Sequence, residues 1–515
     1  MRIFTLEQIK KAEEKAVSLG DSFLSLMERA GKVCAETITA HYNLNAHPEW
    51  SIAVVCGRGK NGGDGFVIAR IFQEKGIPCK IILASGKPAA DDAVIMYEKI
   101  KDMEIIDFQK QETQAAKIID HADLLIDSIV GFGFHGAAKP ELAKLLTLMN
   151  RAPAKIAAID LPTGLDCDSG IIAGESIHAD LTVAISTLKP AHVTHPAAAF
   201  CGTVQTVSIE MPEECFAPYD KEIYTIETNL ILQNLKPRKS DANKGSYGKV
   251  LSVCGSFQMP GAAVLAATGA VRGGAGLVTC ACPHSIAAVI ASHIAEPIFL
   301  PLPETEEGFL SEKALPSLLN ALQKATVCLV GCGMGNRQDT SKIVKELILH
   351  AVCPIIIDAD GINCLADNID ILKAAKSTLI LTPHPGEMAR LTGKSIADIQ
   401  SDRITAAKEF AVQHQLVLIL KGAGTIVTNG ERVYVNTTGN PGMAKGGSGD
   451  ALSGIIAALL AQGIPPLDAA ACGVFLHGAA GDAAAHCFSQ RGMTPTDLLA
   501  QLPLLLSQYE QQGDA

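Results

Sequence analysis

Two short glycine-rich segments, one in each half of the chain, hold the residues best suited to chemistry: Gly59-Lys60-Asn61-Gly62-Gly63-Asp64-Gly65 and Gly446-Gly447-Ser448-Gly449-Asp450. Where a Cβ is missing, backbone N–H groups can approach a phosphate closely, and a carboxylate set beside them can bind a hydroxyl or take its proton. Each segment follows its own run of strand and helix patterning. Two fused enzymes, each with its own site, explain this better than one site assembled from both. Further carboxylates end apolar runs in the first half, Asp127 after the run 124–127 opens and Asp160 at the close of 156–160, both beside glycine-rich loops. In the second half Lys421 directly follows the apolar run 416–420, a position that points a lysine into a site.

The elements that must position these groups are legible in the periodicity. Short apolar runs at 51–56, 80–84, 124–127, 156–160 and 181–185 read as buried strands, with amphipathic helices such as 66–75 and 140–150 between them. That alternation implies a parallel α/β sheet, with polar and glycine residues gathered at strand C-termini, where open sheets bind ligands. Residues 1–26 mix Lys10, Lys11, Glu13 and Glu14 with a helical stripe, and read as a helix of the mature protein rather than a signal segment. From about 211 to 243 the periodicity fades into prolines and charges, as in Lys236-Pro237-Arg238-Lys239-Ser240-Asp241. A second α/β pattern follows: a strand at 249–254, an Ala/Gly-rich helix from Gly261, and strands at 277–281, 327–331, 354–358, 378–381 and 416–420. Runs 425–428 and 432–435 flank Asn429-Gly430, a two-residue hairpin signal, and the chain after Asp450 reads as helices. The expected organisation is a domain at 1–215, a linker at 216–239 and a second domain at 240–515.

Composition narrows the partners. A chain of 515 residues, 48% hydrophobic and 19% charged, suits two or three well-buried domains. A net charge of −11 with no Lys/Arg-rich block argues against nucleic acid or an anionic membrane, and no apolar run is long enough to span a bilayer. Small-molecule substrates, a cytoplasmic location and a homo-oligomer are the expectation. The 15 cysteines are scattered through apolar segments without a CxxC pair, as free core thiols in a reducing compartment would be.

Gly57, Gly59 and Gly62 match GxGxxG after a strand, which raises a nicotinamide-dinucleotide dehydrogenase. The acidic residue such a fold needs about 20 residues further on, to hold the ribose, is missing: the next strand ends at Leu83-Ala84-Ser85-Gly86. The fuller pattern is more specific. Residues 59–65, Asp127-Ser128-Ile129-Val130-Gly131-Phe132-Gly133, Ile159-Asp160-Leu161-Pro162-Thr163-Gly164-Leu165-Asp166 and Lys189-Pro190-Ala191-His192 together resemble the NAD(P)H-hydrate epimerase family. The resemblance implies a Rossmann-like three-layer sandwich and a potassium ion held by Asn61, Asp127 and Thr163, all oxygen donors as a hard cation requires. It further implies that Lys60, Asn61, Gly62, Gly63 and Asp64, with Gly131, Phe132, Gly133, Phe134, His135, Gly136 and Ala137, line the hydrated dinucleotide. Asp160 would lie near the reacting ring as the proton-handling group. The chain departs from the family's usual residues at Lys60, Phe132, Phe134 and Thr163.

The second segment, opening a helix, resembles the anion-hole signature of ribokinase-like enzymes, in which a helix N-terminus stabilises phosphoryl charge and the aspartate activates the acceptor hydroxyl. With Asn440-Pro441-Gly442-Met443-Ala444-Lys445, Thr382-Pro383-His384-Pro385-Gly386-Glu387-Met388, Asp358-Ala359-Asp360-Gly361-Ile362-Asn363 and Gly245-Ser246-Tyr247-Gly248, it resembles the ADP-dependent NAD(P)H-hydrate dehydratases. A departure is Cys332, where that family usually has proline. The resemblance implies that Lys421, Gly422, Ala423, Gly424, Thr425 and Gly449 hold ADP with magnesium. Ala262, Gly335, His384 and the catalytic Asp450 would hold the hydrated dinucleotide. The paired activity expected is epimerisation of R and S hydrates and dehydration of the S epimer to NAD(P)H. Two alternatives stay open on the residues alone: a ribokinase-like small-molecule kinase, and a nucleotide-binding module in place of the epimerase.

Overall fold

Runs rich in Val, Ile and Leu, buried on both faces, build two separate sheets, as near-continuous apolar strands do when helices cover both sides. The computed structural model describes residues 1–219 and 222–513, and the chain divides between Ile223 and Tyr224. In the first unit seven parallel strands lie in the order Ile105–Asp107, Cys79–Leu83, Ile52–Cys56, Leu124–Ser128, Lys155–Ile159, Leu181–Ile185 and Thr203–Val207. The chain enters at Ile52–Cys56, winds to one edge, then crosses to Leu124–Ser128 and winds to the other. That reversal opens a crevice beyond the C-termini of these two strands, where doubly wound sheets take their ligands. Ile52, Val54 and Cys56 pack under helices Phe23–His41 and Lys60–Glu74, while Ala53 and Val55 face Glu112–Asp120 and Pro140–Arg151. The result is a Rossmann-like three-layer sandwich.

The second unit is built on a ten-stranded sheet, in the order Ile298–Leu302, Leu277–Pro283, Lys249–Val253, Val327–Val330, Ile355–Ile357, Leu379–Leu381, Val417–Leu420, Ile426–Thr428, Val433–Val435 and Ile223–Thr225. The first seven are parallel and the next two form an antiparallel hairpin. Helices Pro260–Arg272 and Ser448–Ala461 cross closely: a Cβ at Gly454 would meet the Ala266 carbonyl at 2.1 Å, and one at Gly269 the Ala451 carbonyl at 2.6 Å. From Ala451 to Ala461 the second helix is buried on every side, so the aspartate at its N-terminus rides on a fixed core element.

Several local expectations give way. The N-terminal helix is two helices, Leu6–Ser18 and Phe23–His41, broken where Gly20 takes φ +107° and Ser22 caps the second by accepting from Ser25 N–H at 3.1 Å. The Asn429-Gly430 hairpin has a four-residue turn, not two, because the Asn429 side chain accepts from the N–H groups of Glu431 and Arg432 at 3.1 and 3.0 Å. Within 216–239, Phe216 packs on Phe4 in the first unit, at 5.7 Å between ring centroids, and Ile226 and Ile231 enter the core of the second. Three edge strands escape the sequence pattern: 105–107 is only three residues long, 203–207 is half-exposed, and the apolar run 298–302 contains Pro301, which argues against a strand. The 15 cysteines are free, with 13 of them buried, and no helix among the described residues is long and apolar enough to cross a membrane.

Candidate functional site

In the first unit the glycine segment is helix rather than loop. Gly59 is the N-cap of Lys60–Glu74 and brings no side-chain cap, so the first-turn N–H groups and the positive end of the helix dipole are open to an anion. The glycines serve two purposes. A Cβ at Gly57 would strike the Ile129 carbonyl at 1.9 Å, one at Gly62 the Gly57 carbonyl at 2.0 Å, and one at Gly63 Met27 Sδ at 2.4 Å. These three seat the helix against the sheet and its neighbour; Gly59 alone of the four has open space beside it. Beyond it lies a cavity of about 450 Å³ whose wall includes Lys60, Asn61, Asp64, Gly131, Phe132, Gly133, Asp160 and Lys189. Gly62, Gly63, Phe134, His135, Gly136 and Ala137 are not on that wall. Phe134 is buried, and His135 turns its Nδ1 to Asp166 Oδ2 at 2.8 Å.

Asp160 leaves the strand Lys155–Ile159 with φ +65°, a conformation costly for a residue with a Cβ and characteristic of functional sites. Its Oδ1 accepts from Lys189 Nζ and from Ile185 N–H at 3.1 Å, and the lysine also donates to the carbonyls of Ile185 and Thr187 at 2.8 and 3.2 Å. His192 braces this pair: its Nδ1 accepts from Lys189 N–H at 2.9 Å, so its Nε2 carries the proton donated to the Asp160 carbonyl at 2.7 Å. Burial, with the Lys189 charge, pushes the imidazole down to about 4, which keeps it neutral. The second oxygen of Asp160, Oδ2, is buried and has no hydrogen-bond partner among the described residues. An orphaned acceptor on a cavity wall is a place for a bound molecule.

Beside the cavity Asp127 is fully buried at the end of Leu124–Ser128. Its Oδ1 accepts from the Thr163 hydroxyl at 2.7 Å and Ile129 N–H at 3.2 Å, and its Oδ2 from Thr163 N–H at 2.7 Å. Burial nonetheless pushes this carboxyl up to about 6. The Thr163 hydroxyl also lies 3.1 Å from the Val130 carbonyl. Asn61 bonds to neither Asp127 nor Thr163: oriented to satisfy its neighbours, its amide donates to the Ile159 carbonyl at 3.3 Å and accepts from Gly131 N–H at 3.1 Å. The Thr163 hydroxyl and, through it, the Val130 carbonyl thus lie about a buried carboxylate that, among the described residues, has no ammonium or guanidinium against it, and oxygen donors of this kind suit a hard monovalent cation.

The second unit repeats the buried ion pair. Asp358, fully buried past Ile355–Ile357, accepts at Oδ1 from Lys421 Nζ at 2.7 Å and at Oδ2 from the Ser453 hydroxyl at 2.8 Å. Burial alone would raise its pKa, but the Lys421 ammonium holds it below the ordinary carboxylate range. Ala359, next in the chain, takes φ 49° and ψ −117°, a second strained non-glycine residue at a strand end. Asp450, in the first turn of Ser448–Ala461, has an oxygen within 4.8 Å of both Asp358 and Cys332 Sγ. Burial, and then the Asp358 charge, push it up to about 6. Lys421 Nζ stands 3.3 Å from where a Cβ on Gly449 would be, so the glycine lets the lysine lie close against the first turn of Ser448–Ala461. Gly422 (φ +142°) and Gly424 (φ +64°) turn the chain past Ala423 to Thr425, whose hydroxyl closes the turn on the Gly422 carbonyl at 2.8 Å.

Ala262 and Gly335 reach this region through the loop 331–335: a Cβ on Gly333 would lie 2.6 Å from Ala262 Cβ, and Gly335 N–H is fixed on Asp360 Oδ2 at 2.8 Å. His384 caps Pro385–Thr392, its Nδ1 accepting from Gly386 and Glu387 N–H at 3.0 and 3.3 Å. Burial and the Lys421 charge lower its pKa, leaving a neutral ring with Nε2 as donor. Sequence reasoning left out Asp358, Glu387 and Arg403 as site residues. Arg403, buried, donates to the carbonyls of Leu420 and Lys421 at 3.1 and 3.2 Å and so locks the strand end that presents the lysine. Asp358 was findable, since it closes an apolar run as Asp127 and Asp160 do; Arg403 lies on a helix and left no such signal.

With this geometry in hand, comparison with known proteins is direct. The family model described as YjeF-related protein N-terminus matches residues 24–191, and that described as NAD(P)H-hydrate dehydratase matches 250–504. The chain is 40% identical over 493 residues to a bifunctional NAD(P)H-hydrate repair enzyme of Moorella thermoacetica, covering 95% of this chain and 93% of the relative. It is 33% identical over 510 residues to the enzyme of that name from Escherichia coli, covering 98% and 94%. A solved ADP/ATP-dependent NAD(P)H-hydrate dehydratase from Bacillus subtilis, co-crystallised with ATP and magnesium, superposes at TM-score 0.50 with 28% identity over 57% of this chain and all of that one. A ribokinase-like superfamily protein from Enterococcus faecalis does so at TM-score 0.51 with 25% identity, covering 56% and 97%. The second unit is thus ribokinase-like.

The buried pair in the second unit has a measurable signature. Lys421→Met should destabilise this unit by about 3 kcal/mol, because Asp358 is left charged and unpaired, whereas Lys421→Met with Asp358→Asn should cost clearly less than the two single changes added. Denaturant midpoints for the four chains check this; strict additivity would mean that the two groups do not depend on each other.

Proposed function

The chain belongs to the bifunctional NAD(P)H-hydrate repair enzymes, and from that premise we propose how its residues divide the work. The first unit is the epimerase and the second the dehydratase. Water added across the 5,6 double bond of a reduced nicotinamide leaves a hydroxyl at C6 in either configuration, and a stereospecific dehydratase can use only one. An epimerase in the same chain rescues the other.

In the dehydratase, ADP lies along Lys421, Gly422, Ala423, Gly424, Thr425 and Gly449, and the S hydrate against Ala262, Gly335, His384 and Asp450. Hydroxide is a poor leaving group, so phosphorylation precedes elimination. Asp450 takes the proton of the C6 hydroxyl as its oxygen attacks the terminal phosphorus of ADP, and AMP departs. The ring nitrogen's lone pair then expels phosphate and forms a C6=N⁺ bond. A C5 proton passes to the departing phosphate, the C5–H electrons form the 5,6 double bond, and the C=N⁺ electrons return to nitrogen to give NAD(P)H. The Lys421 ammonium and the N-terminus of Ser448–Ala461 stabilise the charge developing on the phosphoryl group. Magnesium, carried on the nucleotide phosphates, would neutralise their charge. The observation that carries this reading is the placement of Asp450 in the first turn of Ser448–Ala461, a helix with no side-chain cap, with an oxygen within 4.8 Å of Asp358 in the Asp358–Lys421 pair.

In the epimerase the hydrated ring lies beside Asp160 Oδ2, with the phosphates toward the N-terminus at Gly59. Potassium would be held by Asp127, Thr163 and Asn61, where it would balance the buried Asp127 charge and stiffen the strand-end loops. Fully free cysteines support a reducing compartment, the cytoplasm, for this work.

Two measurements test the assignment. Because the working form of Asp450 is ionised, dehydration measured as regained absorbance of the reduced cofactor should rise with pH through about 6. Asp450→Asn should lower it by at least about a hundredfold while epimerisation persists. A phosphorylated product that accumulates instead would favour a kinase. Epimerisation, followed as exchange between R and S hydrates, should be faster in potassium than in sodium or choline buffer, and Asp127→Ala should impair it without touching dehydration. Equal rates in all three buffers would remove the potassium site.

A further inference from the structure

The epimerase cavity has an ionisable wall residue that no motif singled out. On helix Leu6–Ser18 the buried residues are Gln8, Ile9, Ala12 and Ala16, and Glu13 falls on the same face, one turn from Ile9. A carboxylate on the inward face of a helix is out of place for packing alone. Its side chain is only 19% exposed, and it lines the cavity together with Ile9, Asp64 and Asp160. Lys60 Nζ comes within 3.5 Å of Glu13 Oε2 and lies 3.7 Å from the centroid of the Phe23 ring, so Glu13 is tied to the helix that opens at Gly59.

Resting on the epimerase reading above, we propose that Glu13 is a second catalytic proton-handling residue of the epimerase site, working as a pair with Asp160. Inversion at C6 needs a proton given on one side of the carbon and another taken on the other. The Glu13 carboxyl gives its proton to the C6 hydroxyl, the C6–O bond breaks with its electron pair leaving on water, and the ring nitrogen's lone pair forms a C=N⁺ bond. Water then adds to C6 from the opposite face, the C=N⁺ electrons return to nitrogen, and the proton lost by that water goes to Asp160. One water leaves and one enters, one proton passes from Glu13 to Asp160, and the pair resets through solvent or by running in reverse.

The two carboxyl groups are set apart for these roles by their partners. Asp160 is ion-paired to Lys189, whereas Glu13 has a longer contact to Lys60. Burial, outweighing the Lys60 charge and added to by Asp160, raises Glu13 above the ordinary carboxylate range. Asp64 faces the same cavity, itself raised by burial, and Arg58 and Lys189 are the other charged groups on the wall. A carboxyl that must be protonated to act is lost as pH rises through its pKa, so epimerisation should have a falling limb on the alkaline side of Glu13.

The test uses the full chain, with R/S exchange and ADP-dependent dehydration both measured. Glu13→Gln should lower kcat for exchange by about 10² to 10⁴, the range for a general acid–base group, with KM changed less than about threefold and dehydration unchanged. The alkaline limb should vanish in the residual activity, and Glu13→Asp should recover much of the rate and restore the limb. A wild-type exchange rate in Glu13→Gln, a loss confined to KM, or an unchanged pH profile would overturn the role of Glu13 while leaving the epimerase standing. A wild-type chain that does not exchange the epimers at all would instead remove the epimerase reading, and this inference with it.

Discussion

A carboxylate buried at the C-terminal end of a parallel strand is costly unless a cation is buried with it, and both units are organised around that constraint. Asp160 has Lys189, and Asp358 has Lys421. In each case the lysine arrives from a later strand end, so the pair forms only when strands distant in sequence are in register. In each case, too, the backbone at the aspartate is strained, with φ +65° at Asp160 and 49° at Ala359, and the surrounding hydrogen bonds hold it there. The pairs leave other carboxyls deliberately short of partners. Asp450 sits beside Asp358, and among the described residues Asp127 is held by neutral donors and Asp160 keeps one oxygen unpartnered. These are the groups that can meet a proton, a cation or a substrate.

Sheet topology decides where the pairs lie. Strand order reverses between Ile52–Cys56 and Leu124–Ser128, and the helix that begins at Gly59 rises from that reversal, so its dipole and the cavity share one mouth. In the second unit the equivalent precision comes from helix on helix. Gly269 and Gly454 bring two helices to backbone contact, and Asp450 stands at the N-terminal end of one of them. Any Cβ added at Gly454 would push this helix away from Ala266 and move Asp450 with it.

The central parallel strands of both sheets were legible because their apolar runs are continuous, and Asp127, Asp160 and Asp450 because they stand where such runs or glycine segments end. What the sequence hid was hidden for physical reasons. Half-exposed edge strands such as Thr203–Val207 alternate too weakly to register. The segment 60–65 reads as a loop by its glycines, yet it is the start of a helix, since Gly62 and Gly63 are required by contacts with Gly57 and Met27 rather than by backbone angles. Glu13 gave a faint signal, a charge on the inward face of a helix, that is easily taken for the edge of a polar face. Arg403 and the Asp358–Lys421 pair depend on contacts between residues far apart in the chain, which local pattern does not carry.

The account's central claim is that each unit holds one complete activity. The most direct test cuts the chain between Ile223 and Tyr224, so that Ile226 and Ile231 stay with the core they complete. Residues 224–515 alone, given a mixed pool of R and S hydrates with ADP, should clear the S epimer rapidly and then slow to the rate at which R converts spontaneously. Adding residues 1–223 should abolish the slow phase without altering the first. Clearance of both epimers in a single fast phase by the C-terminal fragment alone would contradict the account.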